Sequence, residues 1–150
     1  MITEFSKGST ILVDKPLHWT SFDVVNKIRW CLKKKLNIKK IKVGHAGTLD
    51  PLATGLLVIC IGAHTKRIND LMAGVKGYTG KFLLGKTTPS YDLETEFDGE
   101  FSTAHITDSL MEQVRATFIG ENQQIPPVFS AKKINGQRAY DIARSGKVVA

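Results

Sequence analysis

Cysteine is scarce: Cys31 and Cys60 are the only two in 150 residues, in a helix-like and a strand-like stretch with no metal-ligand spacing. A disulfide-stapled or zinc-stapled scaffold is excluded, and two free thiols in a reducing compartment are expected. Long apolar runs are missing as well. The longest, Leu56 to Ile61, has six residues, far short of the ~20 that cross a bilayer, so no membrane span is expected. The opening MITEFSKGST has no charged head followed by an apolar stretch and a small-residue cleavage site, which points to a cytoplasmic protein. Five prolines and thirteen glycines are too few for collagen. With 42% hydrophobic and 23% charged residues, disorder and coiled coil are excluded too. A chain of this length fits one domain that buries roughly two-thirds of its unfolded surface.

Acidic residues are absent from one long stretch. Between Asp23 and Asp50 there is none, while Lys27, Arg29, Lys33, Lys34, Lys35, Lys39, Lys40 and Lys42 are all cationic. From Asp92 to Glu121 the sign reverses, and only Arg115 opposes eight carboxylates. The chain then turns basic again with Lys132, Lys133, Arg138, Arg144 and Lys147. The total is 21 Lys+Arg against 14 Asp+Glu, a net charge of +7. Two basic blocks around an acidic one suit a polyanion groove with a solvated back face. A lysine-rich helix face kept for solubility is the plainer explanation of the same residues.

Periodicity predicts mixed elements. Ile11 to Val13 reads as a strand ending at Asp14-Lys15-Pro16. Thr20 or Ser21 caps a helix with Val24, Val25, Ile28, Cys31, Leu32 and Leu36 at helical spacing, and Asp23 favours its first turn. Leu56 to Ile61 reads as a buried strand, Tyr78 to Leu84 alternates as a strand, and a short strand is expected around Thr95 to Phe101. Ile106, Leu110, Val114 and Phe118 predict a second helix from a Thr107 cap. After Gly120 the pattern is a loop with a short helix at Gln137 to Arg144. One α/β domain is the simplest architecture.

Three patterns bear on chemistry. Gly80, four residues, then Gly85-Lys86-Thr87 matches a P-loop literally, but the intervening residues are strand-like and Pro89 stands where a helix should run. Nucleotide binding is therefore disfavoured. His18, His45, His64 and His105 are scattered without an i, i+4 pair, so no metal site is expected. The third pattern is GHAGTLDPLATG, Gly44 to Gly55, a glycine-permissive loop that presents Asp50 just before a buried strand. A strand end is a rigid place to hold a catalytic group; an ordinary Asp-Pro turn is the plainer explanation.

That block, preceded by VDKPLHWTSFDVVNKIR and followed by KGYTGKFLLGKTTPSYD and QIPPVFSAKKINGQRAYDIAR, closely resembles the TruB family of tRNA pseudouridine synthases. The resemblance runs from about Ile11 to Val149. It implies a mixed, mostly antiparallel sheet with flanking helices, an α/β (α+β) fold seen as the N-terminal part of the catalytic domain. It also implies isomerisation of uridine-55 in the T arm of tRNA to pseudouridine, with no cofactor and no metal. Asp50 matches the catalytic aspartate, Tyr78 the active-site tyrosine and His45 the loop histidine that meets the target nucleotide. The stretch 123–146, with Lys132, Lys133, Arg138 and Arg144, resembles the thumb that closes on the RNA.

The residue types suit that chemistry. A carboxylate serves as nucleophile at C1′ or C6, or directs a glycal route, and an aromatic face replaces the stacking that a flipped base loses. A catalytically silent tRNA-binding or tRNA-folding module is the alternative. Two departures stand out. The family carries glycine where His18 stands, so a positive φ there would strain the histidine. The chain also ends at Ala150, before a later family block with an arginine, a tyrosine and a leucine, so the 150 residues alone are expected to be inactive.

Overall fold

The computed structural model describes residues 5, 7–123, 133–134 and 137–138. The chain divides into two compact units, Met1–Thr79 and Gly80–Ala150. In the first, β1 (Ser9–Lys15), α1 (Ser21–Leu36), β2 (Val43–His45) and β3 (Gly55–Ile61) are followed by a 3-10 helix (Gly62–Arg67) and the short α2 (Ile68–Met72). The three strands form one antiparallel sheet in the order β1-β3-β2.

The apolar run Leu56 to Ile61 is the central strand, as its hydrophobicity requires, since β3 is paired on both edges. Its side chains alternate. Leu57, Ile59 and Ile61 point to one face with Ile11 and Val13 of β1 and meet Val24 and Val25 of α1. Leu12 and Leu56 point to the opposite face and stay exposed. Each fully buried Leu or Ile contributes about 2 kcal/mol, so this face depends on α1 as its cover, whereas on the opposite face Cys60 alone of the β3 residues is fully buried.

The start of that helix is specified locally. Thr20 caps it by accepting from the Asp23 N–H at 3.0 Å, while Asp23 accepts from the Thr20 N–H at 2.9 Å and hydroxyl at 2.6 Å. These bonds hold the Asp23 carboxyl below its usual value, the Thr20 hydroxyl contributing most. Asn37 ends the helix in the left-handed region, φ 50°, and its N–H donates to Lys33 O. Of the apolar positions read from spacing, Val24, Val25 and Leu36 are buried, and Ile28 and Leu32 pack at the margin. Cys31 is exposed, because it lies at the flank of the stripe. Both cysteines are free thiols.

The second unit holds β4 (Lys86–Thr87) paired with β5 (Gly99–Glu100), α3 (Asp108–Thr117), and β6 (Lys133–Ile134) paired with β7 (Gln137–Arg138). Between β4 and β5 the chain turns on a cluster of small polar groups: the Thr88 hydroxyl donates to Asp92 O at 2.7 Å, and that of Ser90 to Asp92 Oδ1 at 2.6 Å. Thr107 caps α3 as its spacing predicts, accepting from the Leu110 N–H. None of the helix is buried, so the periodicity identifies a helix whose stripe has no core partner among the described residues.

Three expectations are corrected. Tyr78 to Leu84 forms no strand; Tyr78 is 74% and Phe82 92% exposed. Alternation supplies a face, but a strand also needs a neighbour for its N–H and C=O groups, and no described segment pairs with it. The strand expected around Thr95 to Phe101 contracts to Gly99–Glu100. Gln137–Arg138 are extended rather than helical, paired antiparallel with Lys133–Ile134. The remainder of the expected helix lies outside the described residues.

Candidate functional site

Asp50 lies in the loop between β2 and β3, and three neighbouring contacts fix that loop. The hydroxyl of Ser21, in the first turn of α1, accepts from the Leu49 N–H at 2.9 Å and donates to Leu49 O at 3.2 Å. The His18 N–H donates to Pro51 O at 2.7 Å. The Ala53 N–H closes a turn onto Asp50 O at 3.0 Å. Gly47 and Gly55 flank the loop with φ of 118° and 120°, values that a side chain would strain. Both residues bonded to Asp50 along the chain are thus held by hydrogen bonds, while its own side chain is exposed.

Lys15 lies beneath this arrangement. It ends β1 opposite Gly55 and is fully buried, at 0% exposure. Its Nζ donates to Pro16 O at 2.9 Å and to Trp19 O at 2.5 Å, which ties the turn containing His18 to the end of the sheet. Burial lowers the Lys15 pKa below 10.5, and the attraction of Asp50, then Asp23, partly offsets that shift. The attraction acts at longer range than a direct ion pair: among the described residues the ion pairs are Lys86–Glu100 and Glu112–Arg115. Sequence reasoning reads Asp14-Lys15-Pro16 only as a turn. The available signal is a lysine at the buried-face position of an alternating strand, in register with Val13 and Ile11.

His45, at the end of β2, is half-buried, with Nδ1 2.6 Å from Gly47 O. A carbonyl only accepts, so Nδ1 is the donor in this contact. His45 thus closes β2 and is tied through Gly47 to the start of the Asp50 loop. Tyr78 belongs to the same compact unit but sits exposed on irregular chain after α2, and no hydrogen bond among the described residues joins it to the loop. Lys132 and Arg144 lie outside the described residues, as does most of the expected thumb; Lys133 and Arg138 are described only as backbone partners in the β6–β7 ladder.

The strain expected at position 18 is present: His18 has φ 65°. The P-loop likeness finds no phosphate cradle, because Lys86-Thr87 forms a strand and no helix follows it. Two cavities lie away from Asp50. One of about 430 Å³ is lined by Lys40, Lys42 and Lys66 among others, and one of about 380 Å³ lies on α1. No helix among the described residues is long and apolar enough to cross a membrane.

What the loop offers is a surface carboxylate on a backbone that cannot easily shift, with a buried cation behind it. Such a group can act on a substrate that docks over the loop and brings its own exclusion of water.

Comparison with known proteins identifies the family. Residues 33–150 match the TruB family pseudouridylate synthase (N terminal domain). A tRNA pseudouridine synthase B of Parabacteroides distasonis is 56% identical over 97% of this chain and 62% of its own length. The protein of the same name from Phocaeicola vulgatus is 57% identical over the same shares, and that of Flavobacterium johnsoniae is 52% identical over 97% of this chain and 64% of its own length. The chain thus spans a little over three-fifths of the relatives it matches. With the family match covering most of the sequence and including the Asp50 loop, the chain belongs to the TruB family of pseudouridylate synthases.

Proposed function

We propose that the protein isomerises uridine-55 in the T arm of tRNA to pseudouridine in the cytoplasm, with Asp50 as the catalytic carboxylate and no cofactor. The observation that carries this reading is the rigid presentation of Asp50: Leu49 and Pro51 are both hydrogen-bonded to the segment just before and at the start of α1, so the carboxylate between them is oriented before substrate arrives. The relatives' shared name, tRNA pseudouridine synthase B, supports the substrate.

In the reaction the N1–C1′ bond breaks, the uracil rotates and a C5–C1′ bond forms, after which C5 loses its proton to solvent and N1 ends protonated by one taken from solvent, so that no atom is gained or lost. Asp50 supplies the electron pair or the base for these steps. The detached uracil must be held while it turns, and Tyr78 supplies a face on which stacking is worth roughly 1–3 kcal/mol; its hydroxyl also offers a site for a proton. The exposure of Tyr78 leaves that face accessible to a flipped base. His45 braces the vacated space in the RNA, and Lys132, Lys133, Arg138 and Arg144, in a thumb at 123–146, hold the backbone.

The test is release of tritium from 5-tritiated uridine in a T-arm transcript by the full-length protein. Release that tracks pseudouridine formation supports the reading. Mobility shift of the RNA without release favours a binding or folding module instead.

A further inference from the structure

We propose that the outer face of α1 around Trp30 is a second contact surface for the same RNA, taking one nucleobase on the indole and the flanking phosphates on Lys27 and Lys34. The proposal rests on the tRNA reading above. It begins with an exposed aromatic that the fold does not use: Trp30 is 56% exposed in the middle of a capped sixteen-residue helix, while α1 packs on the sheet through Val24 and Val25.

Cations surround this ring. Lys27 Nζ lies 5.4 Å and Lys34 Nζ 5.0 Å from the ring centroid, one turn before and one turn after it along the same stripe. Beside the indole is a hollow of about 380 Å³ that Asn26, Arg29 and Lys33 help to line. Arg29 is fixed as one wall, donating to Asn26 Oδ1 at 2.7 Å and to Val43 O at 3.0 Å. The face is therefore partly preorganised.

Charge selects the occupant. No acid occurs between Asp23 and Asp50, so a cationic partner is repelled and a neutral apolar one would have to strip water from several ammonium groups. A polyanion gains at each contact by releasing counterions, and an indole whose two overlying ammonium groups swing onto phosphates, freeing the π face for a base, suits a strand that alternates bases with phosphates. Position links this face to the Asp50 loop. Ser21 joins the start of α1 to Leu49, and Trp30 lies nine residues further on, about 14 Å along the axis. An RNA that leaves Asp50 along α1 reaches the indole within a few nucleotides.

The experiment measures affinity of the full-length protein for a fluorescent T-arm hairpin and for heparin, a polyanion without bases, across a salt series. Trp30→Ala should weaken hairpin binding about 5- to 100-fold and leave heparin binding within twofold, while Trp30→Phe, which keeps a π face, should cost only a few-fold. Lys27→Gln with Lys34→Gln should lower the slope of log affinity against log salt by about 1.5. Circular dichroism of each variant should match the wild type, since none of these side chains is buried. Hairpin binding by Trp30→Ala equal to that of the wild type would overturn this proposal alone, and so would an equal loss for hairpin and heparin, which would mean charge without stacking. A wild-type protein that binds no RNA would overturn the tRNA reading and this proposal together.

Discussion

His18 donates its backbone N–H to the carbonyl of Pro51 at 2.7 Å, and it does so from the left-handed region, φ 65°. The turn after β1 is thereby tied to the residue following Asp50. A non-glycine residue in this region costs about 1–2 kcal/mol, so the bond holds a strained backbone beside a candidate catalytic group. The buried Lys15 holds the same turn from the other side through Pro16 O and Trp19 O.

His18→Gly should relieve that strain. Glycine adopts φ 65° freely but gives the unfolded chain more entropy, so the net gain is about 0.5–1 kcal/mol. A higher urea midpoint with an unchanged m-value is expected; a lower midpoint would mean that the histidine side chain contributes more than its backbone strain costs.

Ser21→Ala should loosen the Asp50 loop. It removes a hydroxyl that satisfies both polar backbone groups of Leu49, and stranding them should cost about 1–3 kcal/mol. Turnover should fall more than tRNA affinity, because orientation is lost while phosphate contacts remain. Kinetics in which only affinity changes would contradict this.

Lys15 should give the protein an alkaline dependence of stability. Its folded pKa is lowered by burial, so between that value and 10.5 the unfolded chain binds more protons, and stability rises with pH across this window. Below the window the charged lysine carries its full desolvation cost. Lys15→Met should abolish this rise while leaving Pro16 O and Trp19 O without their donor, a loss of about 1–3 kcal/mol at neutral pH. Urea unfolding of both proteins from pH 8 to 10.5 checks the sign, and parallel curves would refute it.

Much of the first unit is legible in the sequence because its signals are local. The Thr20–Asp23 cap, the helical spacing of Val24, Val25 and Leu36, and the uninterrupted run of β3 each follow from a few adjacent residues. The Asp50 loop is legible as a motif, and the strain at His18 follows from a residue placed where the family has glycine. Lys15 is legible only in part: its strand parity with Val13 and Ile11 marks the buried face, but its full burial also depends on the distant pairing of β1 with β3. Tyr78 to Leu84 fails for a related reason: alternation describes a side-chain face, whereas a strand exists only with a partner for its backbone.

Asp50 carries the proposed chemistry. Asp50→Asn keeps the size and the backbone contacts of the loop while removing the negative charge, so the full-length variant should fold as the wild type does and bind T-arm RNA within a few-fold. The decisive measurement is its tritium release from 5-tritiated T-arm uridine beside that of the wild type. Release reduced to background with RNA binding retained is the predicted result, and release within tenfold of the wild type would contradict the assignment of Asp50 as the catalytic carboxylate.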